Sequence, residues 1–393
     1  MIRQGIDFIR KWTLPLISIV GTGIVGAVCL ALMTAGKFEF VAPESAANLA
    51  IFIVFQTLGV TVVKAGLDSY VFARASSDLE NAPYAMAPVF KKYVLPVWLL
   101  FALASYSILE SPIVVCICVF STLIDVYSAV RVAEFTARKS FNTVAIANLS
   151  KYPLYFILLF IAGRFVNINY YDLLYLYLFI SLVRFAVVFA ASRATVFSAI
   201  PNYNFGLLGV QQVFNYLLFR LDQVSIPAIR NMIPGLDPNG LSQFVFYLKF
   251  PELVSYCVTA FGSVFFPILV TRFGANSISW RGERLVGNAA IFLACAFGLL
   301  SYVTVFRSDG ISLFVFVPLV FAAFLSFEVN FITFKLLAVG DFRRLLIGMG
   351  GAIVCGVALI GVAVLLQSVN FLYWIVPLQM LVYMTFVMRI GAE

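Results

Sequence analysis

The amino-acid sequence predicts an all-α, polytopic membrane protein with 12 transmembrane helices in two pseudo-symmetric six-helix bundles. Three observations support this fold class. Hydrophobic residues make up 63% of the 393 residues, charged residues make up 11%, and the mean hydropathy is +1.02. Apolar stretches recur along the chain at the length of a membrane span, and basic residues fall between them in an alternating pattern. Soluble domains contain only about 45–50% apolar residues, so this composition excludes one.

Each apolar stretch is long enough for one helical span, because a hydrocarbon core of about 30 Å needs roughly 20 apolar residues in a helix. The basic residues before the first stretch imitate a signal peptide. That stretch is longer than a signal-peptide core, so we expect an uncleaved first span. The twelve predicted spans cover residues 13–36, 46–72, 93–110, 112–130, 146–164, 172–192, 205–229, 241–270, 285–306, 311–334, 345–367 and 371–390.

Basic residues divide unequally between the two alternating sets of connecting segments. One set holds 18 Lys and Arg residues, among them Lys91, Lys92, Lys151 and Arg343, and the other set holds 4. Because cytoplasmic loops carry the excess of Lys and Arg, this split predicts that both termini are cytoplasmic. The net charge is +8, but the basic residues form no single patch, which argues against a nucleic-acid partner.

The predicted spans repeat at a nearly constant offset. Span 1 begins near residue 13 and span 7 near 205, while span 6 begins near 172 and span 12 near 371. We therefore expect an N-terminal six-helix bundle at 1–197 and a C-terminal one at 198–393. Transporters built from repeats of the same topology place their substrate between the halves. Evenly spaced helices that match by coincidence are the alternative.

The chain offers little material for enzyme chemistry. The outer loops are short, the longest being about 231–240, and the cytoplasmic loops contain neither GxxxxGK[ST] nor GxGxxG. The sequence has no histidine, and its six cysteines lie in apolar spans. Cys116 and Cys118 lack metal-site spacing, so we expect the cysteines to be small buried apolar residues and expect no metal site.

Charged residues inside the seventh span mark the first candidate functional positions. Arg220 and Asp222 lie near its centre, with Asn215 and Gln223 close by. A charge at mid-bilayer costs roughly 2.5–3.5 kcal/mol, so such side chains usually face the protein interior or a water-filled cavity. Two residues apart, Arg220 and Asp222 point in different directions on a helix, so we expect each to find a partner on another helix.

Two other spans carry opposite charges at the spacing of helical ion pairs. Lys64 and Asp68 are four residues apart in span 2, and Lys249 and Glu252 are three apart in span 8. Each pair shares one helix face and is expected to pair. Because spans 7 and 8 are adjacent in sequence, a cavity lined by their charges is the favoured interpretation, and structural ion pairs are the alternative.

Three further charged residues lie inside the predicted spans. Asp125 is in span 4, Arg184 in span 6 and Glu328 in span 10. For Asp125 and Arg184 we favour structural ion pairs, or side chains that snorkel toward the membrane interface.

Three stretches resemble the polysaccharide flippases of the MOP (multidrug/oligosaccharidyl-lipid/polysaccharide) exporter superfamily. Asn215–Pro227, NYLLFRLDQVSIP, resembles the Asn-x-x-x-x-Arg-x-Asp-Gln pattern of that family. Phe246–Leu269 looks like the following helix, which often ends in an aromatic-Pro-x-Leu run, and Gln56–Ala75 is similar to the second helix. The resemblance covers the whole chain in layout and these stretches in residues.

The resemblance implies a V-shaped pair of six-helix bundles in the bacterial inner membrane. Such a protein moves an undecaprenyl-diphosphate-linked oligosaccharide, for example an O-antigen unit, from the cytoplasmic to the outer leaflet by alternating access. The expected partners are the lipid bilayer, the anionic lipid-linked glycan and the glycan polymerase machinery. No cofactor is expected apart from a coupling H⁺ or Na⁺.

Site roles follow from the charge of such a substrate, because Arg and Lys offset the cost of moving a diphosphate through a low-dielectric layer. The expected substrate-binding residues are Arg220, Lys249, Lys64, Asn215 and Gln223. The expected ion-coupling or charge-partner residues are Asp222, Asp68 and Glu252.

Three other functions compete with this hypothesis. A multidrug/cation antiporter of the same superfamily would favour a cavity dominated by carboxylates, whereas the candidate set here holds three cations beside three carboxylates. A membrane-bound glycan polymerase or ligase usually carries a long external loop with catalytic residues, which this sequence lacks. A purely structural membrane protein would not need charges buried in adjacent helices.

Overall fold

A computed structural model describes residues 21–77, 84–109, 111–138, 140–192, 207–273, 283–306 and 311–389. These residues form helices, and no β-strand occurs among them. Residues 13–20 of the first predicted span and residues 193–204, between the two predicted bundles, lie outside the described residues.

In the first half of the chain, the described helices follow the six predicted spans. A π-helical turn, Phe90–Val94, joins α4 to α5 without interruption. The helices are α1 (Gly21–Thr34), α2 (Pro43–Lys64), α3 (Leu67–Ser77), α4 (Met86–Val89), α5 (Leu95–Ile108), α6 (Pro112–Ala137), α7 (Phe141–Leu149), α8 (Tyr152–Gly163) and α9 (Tyr170–Ala191).

The second half repeats this layout. Helix α2 begins at Pro43 and α11 at Pro238, while α9 begins at Tyr170 and α15 at Val369, so corresponding helices begin 195 and 199 residues apart. The helices are α10 (Leu207–Ile229), α11 (Pro238–Phe273), α12 (Glu283–Phe306), α13 (Leu313–Val339), α14 (Phe342–Leu365), α15 (Val369–Leu372) and α16 (Ile375–Arg389).

Helices lie at all twelve predicted span positions, which confirms the all-α polytopic fold. Within the described residues, eight segments are long and apolar enough to cross a membrane, and the shorter apolar helices Gly21–Thr34 and Ala290–Phe306 lie at spans 1 and 9. Helices α10 and α11 supply spans 7 and 8. Helix α10 is not one of the eight, because its polar residues lower its hydropathy.

The chain divides into two compact units. The first takes Met1–Gly26 and Ile51–Val213, and the second takes Ala27–Ala50 and Phe214–Glu393. In the first unit α6 packs against α3 and α9, and in the second α11 packs against α13 and α14 against α16. The division into bundles at residues 197 and 198 stays a prediction.

Large apolar side chains remain exposed along several helices, as a lipid-facing surface requires. Leu103 on α5 is 70% exposed, Phe179 on α9 is 53% exposed and Val354 on α14 is 70% exposed. A soluble protein rarely exposes so much apolar surface. All six cysteines are free thiols, but only Cys118 and Cys295 are buried. The prediction that every cysteine is buried was wrong for Cys116, which is exposed, and holds only in part for the half-buried Cys29, Cys257 and Cys355.

Two predicted spans contain a break. Between α2 and α3, Ala65 and Gly66 have φ of 45° and 81°, a left-handed conformation that glycine tolerates best. Between α7 and α8, the helix is interrupted at Ser150 and Lys151. Because Phe141–Gly163 forms one apolar span, Lys151 lies inside that span and does not belong to the cytoplasmic loops with which the sequence analysis counted it.

Candidate functional site

A buried ionic cluster joins α10 to α11 in the second unit. One carboxylate oxygen, Glu252 Oε2, lies 2.7 Å from Arg220 Nη1 and 2.7 Å from Lys249 Nζ. The side chains of Arg220, Lys249 and Glu252 are 12%, 2% and 8% exposed. Two cations therefore share one carboxylate in an apolar environment, where removing a single partner is strongly unfavourable.

Helical spacing explains how α11 forms its part of the cluster. Lys249, Glu252 and Tyr256 are three and four residues apart, so they lie on one face of the helix. The Tyr256 hydroxyl donates a hydrogen bond of 3.2 Å to Glu252 Oε1. The guanidinium of Arg220 lies 5.9 Å from the centre of the Tyr256 ring, within the range of a cation–π interaction. Tyr256 thus contacts both members of the ion pair between α10 and α11.

A small cavity lies beside this cluster, within the second unit. Its walls come from α10, α11, α13 and the segment around α15 and α16, and its polar side chains include Arg220, Asp222, Gln223, Glu252 and Ser326. Its volume of about 30 Å³ exceeds the roughly 10–15 Å³ that a cavity needs to hold one water molecule. In this conformation the cavity is large enough for water or a small ion.

The remaining predicted residues of α10 occupy different positions. Asp222 is 1% exposed, and its Oδ1 accepts a hydrogen bond of 2.8 Å from the backbone N–H of Gln223. The expectation that Asp222 needs a partner on another helix was wrong in this respect, because its own helix supplies the donor. Gln223 is buried with its Oε1 unpaired among the described residues. Asn215 is half-buried and does not line the cavity.

Lys64 and Asp68 lie in the first unit, at the break between α2 and α3. Lys64 Nζ lies 2.6 Å from Asp68 Oδ2, which confirms the predicted pair. Lys64 ends α2 and Asp68 is in the first turn of α3, so each charge also complements a helix dipole. Gln212 of α10 donates to Asp68 Oδ1 at 3.4 Å and to Ser69 Oγ at 2.7 Å.

A second buried cluster in the first unit surrounds Asp125, which is 1% exposed. Its Oδ2 accepts hydrogen bonds of 3.1 Å from Gln56 Nε2 and from Lys151 Nζ, while its Oδ1 lies 3.6 Å from Arg184 Nη1. Tyr177 donates to Gln56 Oε1 at 3.1 Å. These contacts join α2, α6 and α9 to the break between α7 and α8, and they agree with the prediction that Asp125 and Arg184 take part in structural ion pairs.

Three residues of these clusters were not predicted as site residues: Tyr256, Gln56 and Lys151. Tyr256 follows Glu252 by four residues, which places it on the same helix face, so the spacing could have identified it. Gln56 is a polar residue within an otherwise apolar part of span 2. The role of Lys151 depends on the break between α7 and α8, which Pro153 in the first turn of α8 could have indicated.

Within the described residues, no group of three or more His, Cys, Asp or Glu side chains is placed to hold a metal ion.

No family model and no curated protein matches this chain. The fold does match solved structures. A MOP superfamily transporter from Pyrococcus furiosus, described as having a binding pocket of reversed polarity that suggests a different function, is 14% identical over 96% of each chain with a TM-score of 0.56. A MATE transporter in complex with MaL6 is 12% identical over 96% of each chain, with a TM-score of 0.51.

A MATE transporter in its straight conformation is similar to the same degree, with 12% identity over 97% of this chain and 96% of that chain and a TM-score of 0.51. At such low identity the likeness shows the fold alone. These proteins are transporters and not enzymes. The chain therefore has the fold of MOP superfamily transporters, a fold that crosses the membrane many times.

Proposed function

We propose that this protein is a flippase that moves an undecaprenyl-diphosphate-linked oligosaccharide from the cytoplasmic to the outer leaflet by alternating access. The MOP transporter fold supports transport in general. The ionic cluster of Arg220, Lys249 and Glu252 supports an anionic substrate in particular. In this proposal the protein lies in the bacterial inner membrane with both termini cytoplasmic, and it delivers its glycan to the polymerase machinery.

The sharing of Glu252 carries the proposal. Because Arg220 and Lys249 lie 2.7 Å from the same carboxylate oxygen, neither cation has a carboxylate of its own within the described residues. A diphosphate that enters from the cavity side replaces Glu252 as the partner of Arg220. This exchange keeps both cations paired, so it avoids the cost of a buried, unpaired charge. Arginine suits this role because its planar guanidinium binds phosphate in a bidentate manner.

The same exchange provides a route to ion coupling. A Glu252 carboxylate released from Arg220 keeps only Lys249 as a cationic partner, so its affinity for H⁺ or Na⁺ rises. Asp222 lines the same cavity and is the second proposed coupling residue. Asp68 is the third, in the first unit, where it is paired with Lys64.

Three further residues complete the proposed binding set. Lys64 is assigned to the diphosphate or to acidic sugars because its side chain keeps 17% exposure despite its pair with Asp68. Asn215 and Gln223 are assigned to sugar hydroxyl groups. The unpaired Gln223 Oε1 supports this assignment, because a buried acceptor without a donor is costly.

A multidrug/cation antiporter is the second candidate, and a specific observation favours it. Two carboxylates, Asp222 and Glu252, line the cavity with one cation, Arg220, and with the aromatic residues Phe219 and Tyr373. An aromatic, carboxylate-bearing cavity suits an amphiphilic cation. The two candidates differ in which residue the substrate needs: the flippase needs Arg220, and the antiporter needs the carboxylates.

The test uses a deletion strain of the source organism complemented with Arg220→Gln, Arg220→Lys and, as a control, Arg343→Gln on the exposed start of α14. We expect Arg220→Gln to lower glycan export about tenfold or more, since it removes a charge-assisted contact. Lipid-linked oligosaccharide should accumulate on the cytoplasmic leaflet. Arg220→Lys should retain part of the export, and Arg343→Gln should retain all of it.

Protein levels in the membrane are measured for every variant. Normal glycan export by Arg220→Gln at a normal protein level would overturn the diphosphate role. Loss of drug resistance in the deletion strain, with no change in surface glycan, would assign the antiporter function instead.

A further inference from the structure

An apolar groove runs along the surface of the first unit where the π-helical turn Phe90–Val94 meets α6 and α9. Its volume is about 370 Å³. Three aromatic rings form one wall. The ring centres of Phe90 and Tyr127 are 5.7 Å apart, and those of Tyr127 and Phe185 are 5.1 Å apart. Leu123 also lines the groove. These aromatic and aliphatic side chains provide a surface for a hydrocarbon chain.

The π-helical turn places charge at one end of this groove. Lys91 lines it, and both Lys91 and Lys92 are exposed. Among the described residues, neither lysine forms an ion pair. A π-helical turn is rare inside an α-helix and is often found at functional sites. Here it directs a lysine onto the edge of an otherwise apolar surface.

Topology shows which end of the span this is. A connection of three residues joins Ile108 at the end of α5 to Pro112 at the start of α6, so both lie at the same membrane face. Lys91 precedes Ile108 by 17 residues, about 26 Å of helix at 1.5 Å per residue, whereas Leu123 follows Pro112 by 11 residues, or about 17 Å. Lys91 is thus near the opposite face, which is predicted to be cytoplasmic, and Leu123 lies about 9 Å deeper in the membrane, measured from that face.

We propose that this groove binds one anionic phospholipid of the cytoplasmic leaflet. One acyl chain lies against Phe90, Tyr127 and Phe185, and the headgroup phosphate contacts Lys91 and Lys92. The apolar wall supports the chain. Lys91, which lines the groove, and Lys92, the next exposed residue of the same turn, supply the complementary charge. Anionic lipids are enriched in the cytoplasmic leaflet, where each nearby lysine strengthens their binding. This site is separate from the cluster of Arg220, Lys249 and Glu252 and does not depend on the proposed substrate.

The experiment is native mass spectrometry of the full-length protein, purified and equilibrated with a mixture of phosphatidylglycerol and phosphatidylcholine. We expect the wild type to retain one phosphatidylglycerol in preference to phosphatidylcholine. The double variant Lys91→Gln/Lys92→Gln should bind phosphatidylglycerol about tenfold more weakly. The matched control Arg343→Gln/Arg344→Gln, which removes a basic pair at the start of α14, should bind it like the wild type.

A second variant separates the groove from the lysine pair. Leu123→Trp fills the groove and leaves both lysines in place, and Ile124→Trp serves if Leu123→Trp does not fold, as judged by its thermal unfolding. We expect either variant to lose the retained phosphatidylglycerol. If the filled variant still retained phosphatidylglycerol, the groove would not be the binding site, and attraction to the surface lysines would be sufficient to explain the binding.

Equal retention by the wild type and by Lys91→Gln/Lys92→Gln would overturn the headgroup site. Competition with undecaprenyl phosphate tests whether the groove binds a prenyl chain instead of a phospholipid. Displacement of phosphatidylglycerol at an equimolar ratio would assign the groove to the prenyl chain of a cargo lipid and would overturn the phospholipid proposal.

Discussion

At the residue scale, Glu134 near the end of α6 shows how a fully buried carboxylate is balanced. Its Oε2 lies 2.6 Å from Arg131 Nη1, and its Oε1 accepts hydrogen bonds from Arg138 Nε at 3.3 Å and from the backbone N–H of Tyr84 at 2.8 Å. We expect Glu134→Gln to lower the free energy of unfolding by roughly 3–5 kcal/mol, because Arg131 stays buried without its balancing charge. Thermal unfolding in detergent micelles measures this loss.

The control for this prediction is Asp341→Asn. Asp341 pairs with Arg344 at 3.3 Å, but its side chain is 33% exposed, and asparagine keeps the hydrogen bond to the Arg344 backbone that caps α14. We expect a loss below about 1 kcal/mol, as for other exposed pairs. A similar loss in both variants would contradict the dependence on burial.

Residue-level features differed in how far the sequence could predict them. The pair Lys249–Glu252 followed from helical spacing, because both partners lie on one face of α11. The pair Lys64–Asp68 was predicted by the same spacing and does form, although the break at Ala65 and Gly66 separates its partners. That Arg220 needs a partner on another helix was also predictable. That this partner is Glu252 was not predictable. The pairing depends on how α10 and α11 pack against each other, and no local sequence pattern specifies that packing.

At the element scale, a close contact between two glycines supports the break between α2 and α3. A Cβ atom on Gly66, where φ is +81°, would lie 2.9 Å from Gly209 N, and one on Gly209 would lie 2.4 Å from Ala65 O. We expect Gly66→Ala to be strongly destabilising, because it combines backbone strain of about 1–2 kcal/mol with a clash against backbone atoms. The measurement is again the free energy of unfolding.

Gly340 separates these two causes. Its φ is +78°, but a Cβ atom there would meet nothing within 4 Å, so Gly340→Ala adds only the strain. We expect it to lose clearly less stability than Gly66→Ala, and Gly209→Ala to lose stability through the clash alone. If Gly340→Ala and Gly66→Ala lost the same amount, the close approach of Gly209 would be of no energetic importance.

The helices were largely predicted from the sequence, whereas the two breaks were not, although Gly66 and Pro153 mark them. Apolar length determines where a span lies, because the bilayer requires it, and the predicted spans match the helices. The break at Ser150 and Lys151 is followed by Pro153 in the first turn of α8, and this proline is the local signal for it, because it cannot donate a helical hydrogen bond to Leu149. A buried partner, Asp125, is what allows Lys151 to lie inside a span.

At the scale of the whole molecule, the two units share a helix order but not a charge pattern. Besides Glu134, which pairs with Arg131 and Arg138, the described part of each unit contains a buried carboxylate between two cations: Asp125 with Lys151 and Arg184 in the first, and Glu252 with Arg220 and Lys249 in the second. The Asp125 cluster involves spans 2, 4, 5 and 6, and the Glu252 cluster involves spans 7 and 8. The two halves therefore repeat the helix order without repeating the positions of their buried charges. Within the described residues, only the Glu252 cluster borders the polar cavity of the second unit.

The orientation of the whole chain follows from its basic residues and is open to a direct test. With Lys151 placed inside a span, the connecting segments divide their Lys and Arg residues 17 to 4, which still predicts cytoplasmic termini. We expect green fluorescent protein fused after Glu393 to fluoresce, and alkaline phosphatase fused at that position to be inactive, because its disulfides form only outside the cytoplasm. Alkaline phosphatase fused after Gln367, in the predicted outer loop before α15, should be active. The reverse pattern at both sites would invert the molecule and place Lys91 and Lys92 in the outer leaflet.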